Sequence, residues 1–189
     1  MKNWTTVILL MSSLLGWTSA HAEYDPDSYV YGRFSLGTIT ANEEWGDNAS
    51  DISTGLGVGY IRNLFKDRNI FGGIRYEYVN TNLETIVHSS GDSYLSHLGV
   101  VVEWRPNYTP DKYLYVNLFF GKNSGRDWID SGTMGSGYGA GYTMLLNRKY
   151  NIFGTAFYDH YSQLMAGAPF NEKDETHLDR IGLFAELRW

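Results

Sequence analysis

Ile181-Gly182-Leu183-Phe184-Ala185-Glu186-Leu187-Arg188-Trp189 closes the chain, and the way its residues alternate decides the fold. Ile181, Leu183, Ala185, Leu187 and Trp189 fall on one side of an extended strand, while Gly182, Phe184, Glu186 and Arg188 fall on the other. Successive strand side chains point to opposite faces, so this segment has one apolar face and one face that carries ionic groups. A strand of this kind suits a sheet that meets an apolar medium on one side and a polar interior on the other.

Working back from that segment, taken as residues 178–189, seven more runs share the period: 29–40, 52–62, 69–80, 93–104, 113–122, 134–145 and 150–162. Each is close to the roughly 9 to 11 residues that a tilted strand needs to cross a bilayer. In these seven runs the apolar set is even-numbered, with Leu36, Leu56, Ile74, Val100, Leu118, Tyr138 and Ile152 as examples. The odd set carries Arg33, Arg75, Glu77, His97, Glu103, Asn117 and Asp159. A Lys or Arg turned toward lipid at mid-depth costs about 2 to 4 kcal/mol, so the odd set belongs inside a closed sheet. The expectation is an all-β protein, an eight-stranded antiparallel up-and-down transmembrane β-barrel, with Arg33, Arg75 and Arg188 paired in the lumen with Glu77, Glu103 and Glu186. Gly55, Gly57, Gly59, Gly135, Gly137, Gly139 and Gly141 share that inner parity and leave room for long side chains. An eight-stranded interior is just wide enough to be filled by side chains, so the barrel is porin-like in architecture without an open pore. A soluble lipocalin-like barrel has the opposite polarity, apolar inside and charged outside.

The connections alternate in length. Those near residues 64–67, 107–111 and 147–149 are short; those at 41–51, 81–92, 123–133 and 163–177 are longer and polar. In outer-membrane barrels short turns face the periplasm and long loops face outward, which puts both termini in the periplasm. Residues 1–22 read as a signal peptide, with Lys2 before an apolar run at 7–15 and Ala20-His21-Ala22 as a small-x-small cleavage site. The run is too short to span a bilayer, and residues 23–189 form the barrel domain. The chain has no Cys, which removes disulfides, thiolate metal sites and a cysteine nucleophile. A formal charge of −6 and no basic cluster argue against nucleic acid as a partner. The 15 Tyr and 6 Trp suit a chain with amphipathic aromatic belts at the lipid–water boundary.

The closing segment resembles the C-terminal signal by which bacterial outer-membrane proteins are recognised for assembly, with Leu183, Ala185, Leu187 and the aromatic Trp189 as the residues concerned. Tyr29-Val-Tyr-Gly-Arg-Phe-Ser-Leu-Gly37 and Gly55-Leu-Gly-Val-Gly-Tyr60 resemble the small OmpA/OmpX/OmpW-type barrels. That resemblance implies a monomer in the bacterial outer membrane, whose partners are membrane lipids, lipopolysaccharide and the assembly machinery, with a structural, adhesion or surface-binding role through its external loops. OmpW-like barrels further imply a channel for small hydrophobic molecules. Asp159-His160-Tyr161-Ser162 is similar to the His-x-Ser motif of outer-membrane lipid A deacylases, which pair it with an acidic residue at the start of the last strand, where this chain has Asp179. The resemblance implies an ester hydrolase in which Ser162 attacks, His160 takes its proton and Asp179 orients the imidazole. The chain departs from that motif in having Gln163 where the family has Asn, and Asp179 where it has Glu.

Other candidates are less defined. Glu43, Glu44, Asp47 and Asp51 in the first long connection, and Glu172, Asp174 and Glu175 in the last, are carboxylates of the type hard cations take, but their spacing matches no defined calcium loop. Trp45 and Trp128 are candidate loop anchors, and His97 is expected as an interior hydrogen-bonding residue. No metal and no cofactor are expected.

Overall fold

The computed structural model describes residues 25–42, 49–81, 93–125, 134–164 and 175–189. The signal segment and the loop candidates Glu43, Glu44, Trp45, Asp47, Trp128, Glu172 and Asp174 lie outside the described residues. Eight strands follow in chain order: β1 (Ser28–Asn42), β2 (Ala49–Phe65), β3 (Ile70–Thr81), β4 (Ser93–Trp104), β5 (Lys112–Gly125), β6 (Met134–Asn147), β7 (Ile152–Leu164) and β8 (Glu175–Arg188). Each pairs antiparallel with its neighbours in sequence, and β8 returns to β1 to close the barrel. Closure removes the unpaired edges that an open sheet presents.

Several strands run past the expected bounds. β2 continues to Phe65 and spans 17 residues, and β8 begins at Glu175. β7 starts at Ile152, because 148–151 form the turn, and β8 ends one residue before Trp189. Ladder hydrogen bonds continue wherever neighbouring strands remain side by side, whether or not hydrophobic alternation does.

Two of the short connections turn on an asparagine. After the 3-10 turn Lys66–Arg68, Asn69 adopts φ 51°, and before β7 Asn151 adopts φ 50°. Asn tolerates this left-handed conformation because its short polar side chain bonds locally. The segment before β1 is tied to the first of these turns by an ion pair of 2.6 Å between Lys66 Nζ and Asp27 Oδ2, and by Asn63 N–H donating to the Asp27 carbonyl at 2.7 Å. The hydrogen bond and charge of Lys66 hold the Asp27 carboxyl below the usual carboxylate range.

The seam between first and last strand is sealed at its end by the terminal residue. Val30 N–H donates to the Trp189 carbonyl at 2.9 Å and Trp189 N–H donates to the Val30 carbonyl at 3.0 Å.

Polarity follows strand parity. Val100, Leu118 and Leu183 stand outward at 54, 66 and 65% exposure, while Arg75 and Glu103 are buried inside at 3 and 9%. The arrangement is therefore inverted relative to a soluble carrier. Inward glycines make way for neighbours: a Cβ on Gly57 would lie 2.9 Å from Arg33 Cγ, and one on Gly55 would lie 2.9 Å from Arg180 Nη2. The lumen is more layered than charge alone suggests. Ile39, Val79, Leu95 and Leu178 are buried inside it and pack in one apolar cluster with Tyr161 and Phe119.

Candidate functional site

Two sets of polar side chains stand apart, one lining the lumen and one on the outer wall. In the lumen, Glu77 is held from two sides, with Arg180 Nη1 at 2.8 Å from Oε1 and Arg33 Nη2 at 3.5 Å from Oε2. Arg180 also donates to Ser53 Oγ at 3.1 Å and Ser35 Oγ at 2.6 Å. Glu103 pairs with Arg105 at 2.5 Å, and Glu186 with Arg188 at 2.6 Å. Both of these pairs are two residues apart along the chain, the shortest same-side spacing that extended backbone offers. One further nitrogen of each guanidinium reaches a phenol: Arg105 Nη2 donates to Tyr29 Oη at 2.7 Å and Arg188 Nη2 to Tyr113 Oη at 2.6 Å.

The expected pairing needs correction at Arg75. Its guanidinium lies over the Phe119 ring at 4.0 Å, and its Nε and Nη2 have no hydrogen-bond partner. Arg180 and Arg105 occupy the carboxylates instead. Strand parity places Arg180 inside, so its inward position was readable; Arg105 escaped because it lies one residue past the end of β4. His97 is buried, with its ring edge-on to Phe119 at 5.3 Å. Among the described residues no group of three or more His, Asp or Glu is placed to hold a metal ion.

The outer cluster is built on β6, β7 and β8. Strand register sets His160 directly opposite Asp179, and Ser162 directly opposite His177 on the next outward rung. His160 Nδ1 and Asp179 Oδ1 lie 2.8 Å apart. Tyr158 Oη donates to the same carboxylate oxygen at 2.5 Å. The His160 ring is stacked on both sides, with Tyr138 at 4.7 Å and His177 at 5.4 Å, each inclined by 23°. Two of the three residues singled out in the sequence are thus joined. The third, Ser162, is on the same wall with no hydrogen bond to His160. Outward side chains two residues apart on a strand have Cβ atoms about 7 Å apart, a gap that a serine hydroxyl and an imidazole leaning together can close.

A carboxylate on Nδ1 favours the imidazole tautomer that leaves Nε2 as proton acceptor. Tyr138, Tyr158 and His177 were not singled out as site residues in the sequence. Even parity on β6 and β7 puts the two tyrosines on the outer wall, but only the register between strands shows that they meet His160 and Asp179.

Two solved structures align with this chain. Neisserial surface protein A aligns with a TM-score of 0.58 at 12% identity, covering 89% of this chain and 100% of its own. Ail, the attachment invasion locus protein of Yersinia pestis, aligns with a TM-score of 0.47 at 13% identity, covering 85% of this chain and 99% of its own. At 12% identity, the likeness to the Neisserial protein shows the barrel architecture alone. No family model matches the chain, and no curated protein matches its sequence.

Proposed function

We propose that this chain is a monomeric barrel of a bacterial outer membrane, with both termini periplasmic, and that Ser162, His160 and Asp179 hydrolyse an ester of an outer-leaflet lipid of the lipid A class. The observation that carries the reading is the 2.8 Å contact between His160 and Asp179 on the outer wall, one rung from Ser162. Lipid supports the wall: outward Val100, Leu118 and Leu183 need an apolar solvent, and the ionic groups are inside. Leu183, Ala185, Leu187 and Trp189 then serve as the signal read by the assembly machinery.

Depth supports the substrate class. Asp179 lies ten residues before the C-terminal Trp189. With about 3.3 Å of rise per residue and a tilt near 40°, the dyad stands roughly 25 Å above the periplasmic rim, at the upper edge of an apolar band about 25 Å tall. Acyl esters of an outer-leaflet lipid lie at that boundary, with the chains below and the sugar headgroup above.

The chemistry is acyl transfer to water. Ser162 Oγ attacks the ester carbonyl as its proton passes to His160 Nε2, and the imidazolium returns a proton to the leaving alkoxide. Water then attacks the acyl-serine with His160 again as base, releasing the fatty acid and restoring the hydroxyl. Asp179 holds the ring and stabilises its positive charge, and Tyr158 fixes the carboxylate. Catalytic hydrogen bonds tighten when substrate binds, which accommodates the open Ser162–His160 gap. Purified barrel in detergent micelles, given lipopolysaccharide, is expected to release fatty acid, and Ser162→Ala to release none. Equal release by the variant would end the hydrolase reading.

A second reading, a non-enzymatic surface or adhesion role through the external loops, draws on the outward Tyr78 and Tyr94, stacked at 5.5 Å near where the second long connection begins. Expressing cells that adhere no better than cells lacking the protein would remove it. A channel is opposed by the charged and aromatic side chains that fill the described lumen, and by ladders that pair every neighbouring strand.

A further inference from the structure

Acyl transfer through Ser162 places a negative charge on the former carbonyl oxygen, and something must donate a hydrogen bond to it. Hydrolases often use backbone N–H groups at a sharp turn for this purpose. A barrel wall has none to offer, because its amides are engaged in ladders between strands. Ser162 sits within such ladders on both sides, paired with Ser136 on β6 and with His177 on β8. Among the described residues, the donor therefore has to be a side chain on the same outward face.

Two side chains flank Ser162 across the ladder, the Ser136 hydroxyl and the His177 imidazole. Directly opposed side chains have Cβ atoms about 5 Å apart, so either reaches an oxyanion formed at Ser162. A hydroxyl is both donor and acceptor and turns freely. An imidazole N–H is a fixed donor, and His177 is held by stacking on the His160 ring at 5.4 Å. That stacking places the second imidazole beside the base, on the rung that carries the nucleophile.

Resting on the hydrolase reading above, we propose that His177 is a further catalytic residue, the donor that stabilises the oxyanion formed when Ser162 attacks an acyl ester. Neutral imidazole is adequate for this role, as it is where a histidine polarises a carbonyl in other enzymes. The two histidines then divide the work: His160, tied to Asp179, moves the proton, and His177 holds the charge.

The test measures kcat and KM on lipopolysaccharide with the purified full barrel. His177→Phe keeps an aromatic ring against His160 and removes both ring nitrogens. It is expected to lower kcat by about 10²- to 10³-fold with KM within about threefold, the loss seen when one oxyanion donor is removed. His177→Gln, which restores an N–H donor, is expected to recover part of that loss, and Ser136→Ala to change kcat by less than about threefold. Heat-modifiable gel mobility reports folding for each variant, and the Gln variant carries the test if the Phe variant does not fold. A folded His177→Phe with wild-type kcat, or a His177→Gln no better than His177→Phe, overturns the proposal. Ser162→Ala in the same series separates the two readings: if it stays active the hydrolase itself fails, and if only it is inactive the assignment of His177 fails alone.

Discussion

The lumen and the outer cluster use the same residue types to opposite ends. Inside, Arg, Glu and Tyr are packed against one another, and Glu77, Glu103 and Glu186 each meet an arginine. Such groups fill a narrow barrel and pair much of its charge, with Arg75 set against the Phe119 ring instead. Outside, His160, His177, Asp179 and Tyr158 form a bonded and stacked cluster that plays no part in filling the lumen. Removing a member of the first set should damage stability and leave chemistry intact, and removing a member of the second should do the reverse.

The sharpest crossing of that comparison begins at Asp179. Asp179→Asn keeps the shape of the site but favours the wrong imidazole tautomer, so the hydrolysis rate should fall by about 10³- to 10⁴-fold with an unchanged unfolding midpoint. A variant that unfolds early and keeps its rate per folded molecule would move Asp179 into the structural class. Glu77→Gln is the mirror experiment. It takes the charge from a carboxylate flanked by Arg180 and Arg33, and breaking a buried pair from one side costs about 3 to 5 kcal/mol. Denaturant unfolding in lipid vesicles should show this loss, with the rate of folded protein within about twofold of wild type.

A smaller effect probes the wall itself. Leu118→Lys, at one of the most exposed apolar positions, should destabilise the folded barrel by about 2 kcal/mol or more in vesicles, as a charge at mid-depth does. An unchanged midpoint would mean that Leu118 meets water. The smallest effect concerns pH. Asp27 lies before β1, and Lys66 holds its carboxyl below the ordinary value. A depressed folded value gives stability that is complete above the unfolded carboxylate range and is lost as pH falls through the folded value. Between pH 5 and 3 the wild-type midpoint should therefore fall slightly more than that of Asp27→Asn; parallel curves would show that the pair contributes nothing.

How much of this was legible depended on whether it rested on parity or on register. Parity is local, so Leu118 outside and Arg75 inside could be read from alternation along single strands. The inward position of Arg180 follows from the same rule, applied to β8. Partnership is not local. Whether Glu77 meets Arg75 or Arg180 depends on how strands are offset around the barrel, which turns such as Lys66–Arg68 set and no single strand reveals. The outer cluster divides in the same way: His160, Ser162 and their acidic partner Asp179 follow from the motif, whereas the Tyr138, Tyr158 and His177 contacts emerge only once β6, β7 and β8 are aligned. The apolar layer of Ile39, Val79, Leu95 and Leu178 has the inward parity of the charged residues, so alternation alone does not separate an apolar layer from a charged one inside the lumen.

On the proposed reading, the outer wall of this barrel meets lipid and acts on it chemically. The most direct measurement is the mass of lipid A recovered after incubation with the purified protein, wild type beside Ser162→Ala. Loss of one ester-linked acyl chain with the wild type alone is the expected result; identical spectra from both, with every chain in place, would contradict it.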